Sequence, residues 1–418
     1  MRKAEIIAIG DELLIGQVIN TNASWIGNLL TENGFEVCKQ ISISDKKEEI
    51  VKTLKQAQKD ADIIILTGGL GPTKDDITKA TLCEYFDSKL ILNQDALDNI
   101  YRIFNARNYK ITPLNRKQAE IPDKCICLPN IYGTAPGMLF KTKGKIIISL
   151  PGVPMEMKHL MKEEVLPILK ENFERGCILR KTIMTHGIGE SFLADKINDW
   201  EENLPKELSL AYLPQPGIVR LRITAKGEDK ENLNFLLSKS INELFPLIKD
   251  YFFGFDDQKI EDILFQKLKE NNIKISVAES CTGGYISNLI TLIPGASEVY
   301  NGGITTYSNQ AKINLLDVPE KHIIEFGAVS KEVAIAMAKN CRIKFNSDIA
   351  ISTTGIAGPD GGTKEKPVGT VWIGISCQEK TEAFLFTFGE IRETNIRKTA
   401  LKALDLALKK IKNSSNSI

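Results

Sequence analysis

The chain has 418 residues, with 54 Lys and Arg against 53 Asp and Glu and a formal net charge of +1. That length exceeds one ordinary domain and leads us to expect two or three, and so small a charge supplies no basic field for nucleic acid. No apolar run approaches the ~20 residues of a membrane span, and Met1-Arg2-Lys3 runs straight into a strand pattern, so neither a membrane segment nor a signal peptide is expected. The scattered cysteines read as reduced thiols of a cytoplasmic protein. Histidine is confined to His159, His186 and His322, which limits His-based chemistry and His metal sites.

The first part of the chain alternates strands and helices. Residues 5–9 form an apolar strand ending in Gly10-Asp11-Glu12. Residues 21–33 have helical spacing, with Trp25, Ile26, Leu29 and Leu30 on one face and Gly34 as the stop. Residues 35–43 are a second strand, 46–59 a second helix, and 62–66 a nearly continuous apolar strand of the kind found centrally in parallel sheets. Such β-α-β-α-β units predict a doubly wound sheet that binds ligands beyond the strand C-termini. The third strand runs into Gly68-Gly69-Leu70-Gly71-Pro72-Thr73, followed by Asp75 and Asp76. Glycines allow close backbone approach, and carboxylates at a strand end suit a phosphate bound through a divalent cation. A plain turn with Asp76 as helix cap is the competing reading. Asp11 and Glu12 end a neighbouring strand and could reach the same crevice.

Residues 169–255 read as a small α+β unit, with strands near 181–185, 208–212 and 219–225 and helices over 190–200 and 231–247. Gly187-Ile188-Gly189-Glu190 reads as a turn, and Arg220 and Arg222 alternate on one strand face.

In the last part, Ile273, Ile275 and Val277 alternate as a strand into Glu279-Ser280-Cys281-Thr282-Gly283-Gly284, and a helix starts at Tyr285. The free N–H groups of a helix start can hold an anion beside Ser280; equally, Ser280 or Thr282 could simply cap the helix. A second apolar strand, 348–353, meets another glycine loop, Thr354-Gly355-Ile356-Ala357-Gly358-Pro359-Asp360-Gly361-Gly362. Two small-residue loops after apolar strands point to one pocket. A nucleophilic serine needs a base, and His322 sits in a solvated polar segment. The remaining candidate is a lysine with a depressed pKa. Lys312, closing the polar turn Tyr307-Ser308-Asn309-Gln310-Ala311, fits that place. Cys281 competes as nucleophile but has no evident partner.

These motifs resemble the CinA family (competence/damage-inducible protein A). Gly10-Asp11-Glu12-Leu13-Leu14-x-Gly16, Asn20-Thr21-Asn22, the Gly68–Thr78 signature, Gly133-Thr134-Ala135-Pro136-Gly137 and Pro151-Gly152-Val153-Pro154-x-Glu156-Met157 are similar to its molybdopterin-binding-like domain. Ala278–Gly284, Thr306-Tyr307-Ser308-Asn309-x-x-Lys312, Gly327-Ala328-Val329-Ser330, Thr354–Gly362 and Lys366-Pro367-Val368-Gly369-Thr370-Val371 are similar to its C-terminal domain, the PncC-type nicotinamide-nucleotide amidases. The resemblance implies an α/β protein in three parts. They are a doubly wound molybdopterin-binding-like domain (1–168), an α+β connecting subdomain (169–255) and an α/β amidase domain (256–418). It implies deamidation of nicotinamide mononucleotide (NMN) without a cofactor, and metal-dependent hydrolysis of ADP-ribose to AMP and ribose 5-phosphate. The alternative for the N-terminal domain is a pterin- or nucleotide-binding module without turnover. A DNA-uptake role, suggested only by the family name, is disfavoured by the neutral charge.

Carried over by residue, Ser280 is the nucleophile, Lys312 the base and Tyr307 its support. Glu279, Cys281, Thr282, Gly283, Thr354 and Gly355 surround the substrate, and Arg392 or Arg397 holds its phosphate. The family often reads Gly-Asp-Arg where this chain has Gly389-Glu390-Ile391-Arg392, which leaves that choice open. Asp11, Glu12, Asn22, Gly68, Gly69, Gly71, Pro151 and Gly152 would form the N-terminal site, with Asp75, Asp76 and Glu156 on the metal. A homodimer acting on small nucleotides, with neither nucleic acid nor membrane as partner, is expected.

Overall fold

The computed structural model describes residues 1–73 and 75–415. By contact density the chain forms two compact units, one of residues 1–179 and 225–234, the other of residues 180–224 and 235–418.

The first unit opens with β1 (Lys3–Ile9), the single turn α1 (Asp11–Leu14), α2 (Thr21–Glu32), β2 (Glu36–Ile43), α3 (Lys47–Asp60) and β3 (Ile63–Thr67). Next come α4 (Thr78–Tyr85), β4 (Leu90–Leu92), α5 (Gln94–Ala106), α6 (Pro113–Lys117) and β5 (Glu120–Pro122). It closes with β6 (Ile126–Leu128), β7 (Gly137–Thr142), β8 (Lys145–Leu150), α7 (Pro154–His159), a π turn, and α8 (Leu166–Asn172). The main sheet has the order β2-β1-β3-β8-β7-β6, parallel through its first four strands. Ile63, Ile64, Ile65 and Leu66 are fully buried between two layers, as the unbroken apolar run requires. Ile63 and Ile65 pack with Ile26 and Leu30 of α2, whereas Ile64 and Leu66 pack with Ile50 and Leu54 of α3. Each such buried aliphatic side chain contributes ~1.5–3 kcal/mol. Trp25 stays at the rim, under the ammonium groups of Lys158 and Lys162. The strand ends Gly10, Asp45 and Gly68 therefore emerge on one edge.

β9 (Cys177–His186), α9 (Glu190–Glu202), β10 (Leu208–Gln215), β11 (Ile218–Gly227), α10 (Lys230–Ile248) and β12 (Phe252–Phe255) follow, with sheet order β10-β11-β9-β12. Along β11, buried Val219, Leu221 and Ile223 alternate with half-buried Arg220 and Arg222. The short strand β12, rich in Phe, pairs antiparallel with β9.

The C-terminal part contains α11 (Ile260–Glu270), β13 (Ile275–Glu279), α12 (Tyr285–Thr291) and β14 (Tyr300–Thr305). It continues with α13 (Asn309–Leu316), α14 (Glu320–Phe326), α15 (Lys331–Lys344), β15 (Ile349–Gly355), β16 (Thr370–Ser376), β17 (Thr381–Thr387) and α16 (Arg392–Ser415). The sheet order is β14-β13-β15-β16-β17, with β13 parallel to both neighbours and the last two strands antiparallel. Val277 and Ile351 face α11, α12 and α16, while Ala278 and Ala350 face α15. The C-terminal ends of β14, β13 and β15 thus bring Thr306, Ser280 and Thr353 side by side. The chain is α/β, and no helix among the described residues is long and apolar enough to cross a membrane.

Candidate functional site

Ser280 leaves β13 while still held to the sheet, since its N–H donates to the Thr353 carbonyl at 2.9 Å. The chain then turns sharply, and Gly283 and Gly284 adopt φ values of +61° and +98°, a region that side chains with a Cβ resist. The Gly283 N–H closes this turn on the Ser280 carbonyl at 3.1 Å. Glu279, expected beside the substrate, is instead fully buried. Its carboxylate accepts from the N–H groups of Gly284, Ile286 and Ser287 at 3.0, 3.1 and 2.8 Å, and from Ser287 Oγ at 2.7 Å. Glu279 is therefore the anion at the start of α12, and it positions the turn that carries Ser280.

The consequence for anion binding is specific. The first-turn N–H groups of α12 are occupied, and Gly283 bonds Ser280. The N–H groups of Cys281 and Thr282 donate to no other described residue, so they are the donors left for a charge developing near Ser280. Thr282 Oγ1 shares a hydrogen bond with Thr353 Oγ1 at 2.7 Å. Thr354, expected beside the substrate, gives its hydroxyl proton to the Ala328 carbonyl at 2.7 Å; it ties two loops together. Gly355 lies in the β15 ladder opposite Val371. The Cys281 thiol is pushed up to about 12 by burial, which removes it as a competing nucleophile.

Lys312 sits one turn into α13, whose start is capped by Ser308 Oγ accepting from the Ala311 N–H at 3.1 Å. The side chain is 1% exposed. Its Nζ lies 2.9 Å from Ser280 Oγ, 2.9 Å from the Thr306 carbonyl and 3.3 Å from the Tyr307 carbonyl. Burial depresses its pKa, with only a small opposing effect from Cys281. A neutral amine has two N–H donors and one lone pair. With the two carbonyls taking the N–H groups, the lone pair is left for the Ser280 hydroxyl.

Tyr307 supports this lysine through its backbone; its ring is 61% exposed. Its hydroxyl accepts from Arg392 Nη2 at 2.8 Å, and Arg392 Nη1 donates to the Gly358 carbonyl at 2.8 Å. Arg392 thereby joins the Tyr307 turn to the second glycine loop. Arg397 lies elsewhere, in the field of Glu261 on α11. Sequence reasoning missed Asn395, which is 1% exposed. Its Nδ2 donates to the carbonyls of Ala357 at 3.0 Å and Gly389 at 2.7 Å, and its Oδ1 accepts from the Gly389 N–H at 3.0 Å. No local pattern announces it, because it joins the backbone of Gly389 to that of Ala357, 38 residues from Asn395 in sequence.

In the N-terminal domain a crevice of about 320 Å³ lies at the sheet edge, lined among others by Glu12, Asn22, Asp45, Gly68, Gly69, Asp75, Asp76 and Gly152. Asn22 Nδ2 donates to the Gly152 carbonyl at 2.7 Å, and Gly68 and Gly69 adopt φ values of +114° and +65°. Asp45 escaped notice in the sequence, although it follows β2 as Asp11 follows β1. Its carboxyl is raised by burial first, then by Asp11, Glu12 and Asp75. The Asp11 N–H donates to it at 3.1 Å. Gly71 packs against the Asp76 carboxylate, which accepts from the Thr73 N–H at 2.9 Å. Pro151 offers its carbonyl to Thr67 Oγ1 at 3.1 Å.

The expected metal triad does not assemble. Glu156 accepts from Asn130 Nδ2 at 2.7 Å beside Gly133, and it does not line the crevice that holds Asp75 and Asp76. Among the described residues, no group of three or more His, Cys, Asp or Glu side chains is arranged to hold a metal ion.

Three family models match the chain in succession: a probable molybdopterin binding domain over residues 5–171, the damage-inducible protein CinA KH domain over 180–254, and the CinA C-terminal domain over 257–411. A CinA-like protein of Cytophaga hutchinsonii is 44% identical over 409 residues, 98% of each chain. The chain belongs to the CinA family.

A putative competence-damage inducible protein of Caldicellulosiruptor saccharolyticus is 43% identical over 98% of this chain and 99% of its own length. A solved CinA protein of Thermoplasma acidophilum is 36% identical and covers 41% of this chain and 98% of that one, with a TM-score of 0.37. The N-terminal sheet is thus the molybdopterin-binding-like domain of a CinA protein, and the α+β connector is its KH domain.

Proposed function

We propose that the C-terminal domain hydrolyses the amide of NMN to nicotinate mononucleotide and ammonia, with Ser280 as nucleophile and Lys312 as general base. The observation that carries this reading is the 2.9 Å contact between a buried lysine Nζ and Ser280 Oγ. Ser280 Oγ adds to the carboxamide carbon as its proton passes to the Lys312 lone pair. The N–H groups of Cys281 and Thr282 face the oxyanion. The Lys312 ammonium then protonates the departing nitrogen, releasing ammonia and leaving an acyl-serine. Water attacks that ester with Lys312 again as base, and the carboxylate leaves. Nucleophile, base and oxyanion donors are all groups of this chain, so we expect ammonia release to persist in chelator.

Arg392 is the arginine we assign to the substrate phosphate, because it bonds to Tyr307 and Gly358 beside the Lys312 turn, whereas Arg397 makes no such contact there among the described residues. Ser280→Ala is expected to abolish ammonia release from NMN with the fold intact; turnover at the wild-type rate sinks the mechanism.

For the N-terminal domain we propose ADP-ribose as substrate, on the glycine-lined crevice and the family membership. Four carboxylates repel a bare pyrophosphate, so a cation has to enter with it. The side chains as they stand form no coordination set, and no step is assigned to one. Metal-dependent AMP release by the full-length protein that disappears in Asp45→Asn is the expected result. Tight binding without turnover favours a nucleotide-binding module instead.

A further inference from the structure

The turn Gly187-Ile188-Gly189-Glu190 belongs to neither site above, yet it lines a separate cavity. That cavity has a volume of about 550 Å³, within the ~300–1,000 Å³ range of small-molecule pockets. Its walls come from the turn before α9, the β10–β11 hairpin, β17 and α16, all in one compact unit.

The walls divide by chemistry. Phe386 of β17 and Phe388 just after it, whose ring planes lie 8° apart, make the apolar part with Leu401. Lys398 and Lys402 of α16 make the cationic part. Lys402 is engaged, with Nζ 3.1 Å from Asp405 Oδ2 and 5.6 Å from the centre of the Phe386 ring. Lys398 is half-buried, its stem packs against Gly217, and its ammonium has no hydrogen bond or ion pair among the described residues. Its stem is held in the wall while the ammonium is left free to pair with an anion.

Two further features face this end. His186 is 3% exposed and lines the cavity; its Nε2 stands 3.1 Å from Asp405 Oδ1. Gly187 has a φ of +76°, and a Cβ there would lie 3.9 Å from Lys402 Nζ. The N–H groups of Gly187, Ile188 and Gly189 donate to no described acceptor. Glu190, also in the wall, repels an anion from its own side and leaves the lysines as the anion's place.

We propose that this cavity binds a mononucleotide: a flat ring against Phe386, Phe388 and Leu401, and a phosphate between Lys398, Lys402 and the Gly187–Gly189 backbone. The assignment depends on neither proposed activity. The probe is radiolabelled adenosine monophosphate, measured by equilibrium dialysis against the full-length protein. Binding in the N-terminal crevice is common to every variant, so differences report on this cavity alone. Lys398→Glu is expected to remove one saturable site per chain, or weaken it at least tenfold, with the melting temperature unchanged. Ile188→Trp, which fills the cavity, is expected to do the same by volume, and uncharged adenosine to bind there at least tenfold more weakly. The assignment is overturned if both variants match the wild type in stoichiometry and affinity, or if the wild type shows no saturable binding.

Discussion

Replacing Lys312 by Met keeps the volume of the aliphatic stem and removes the amine. For activity, loss of a positioned base slows proton transfer by a factor of ~10²–10⁴, which corresponds to about 3–5 kcal/mol of barrier. For stability two effects oppose each other. The variant loses the three contacts of Nζ with Ser280, Thr306 and Tyr307, each worth about 1 kcal/mol. It also loses the desolvation penalty on a buried ammonium, whose pKa burial depresses. The penalty is present in full below the folded-state pKa. It fades as pH rises from there to the unfolded value of about 10.4. The wild type should therefore gain stability relative to Lys312→Met as pH climbs through that window. Its ammonia-release rate should rise over the same limb, as the neutral base accumulates. The assays are thermal melts of both proteins between pH 6 and 10 and coupled ammonia detection at each pH. Wild-type turnover by Lys312→Met, or a melting difference that does not change with pH, would refute the reasoning.

Arg392→Ala should raise KM for NMN by about 10-fold or more, since a charge-assisted contact is worth ~1.5–3 kcal/mol, while Arg397→Ala stays near wild type; steady-state kinetics separate the two. Glu279→Gln leaves part of the α12 start without its anion, and we expect a loss of about 1–2 kcal/mol in denaturant melts together with a lower kcat. Burial alone would raise the Asp405 carboxyl, but His186, then Lys402 and Lys409, hold it well below the usual carboxylate range. Asp405→Asn should therefore cost about 3–5 kcal/mol at neutral pH. Because the folded pKa is the lower one, that stabilisation is present above the unfolded value of about 3.9 and is lost as pH falls through the folded pKa. Melting curves of the two proteins should converge in acid.

Much of this protein was legible in the chain itself. The nearly continuous apolar run at 62–66 marks a central parallel strand, because a strand covered on both faces carries apolar side chains on both, and the alternation at 273–277 marks a further strand. The small-residue loops after them mark where backbone must turn tightly, and the family motifs mark Ser280 and Lys312. What the sequence left open was partnership across distance. Glu279 stands next to Ser280 in the chain, yet strand pleating sends its carboxylate to the start of α12. Thr354 satisfies the Ala328 carbonyl, and Glu156 turns to Asn130, away from Asp75. Arg392 and Arg397 look alike as residues of one helix start; five residues amount to about 500° of rotation, so they face different neighbours. Local chemistry sets which groups are present and which elements form. Only the packed sheet, by burying Lys312 and crossing it with the end of β13, decides which of them meet and which ionise.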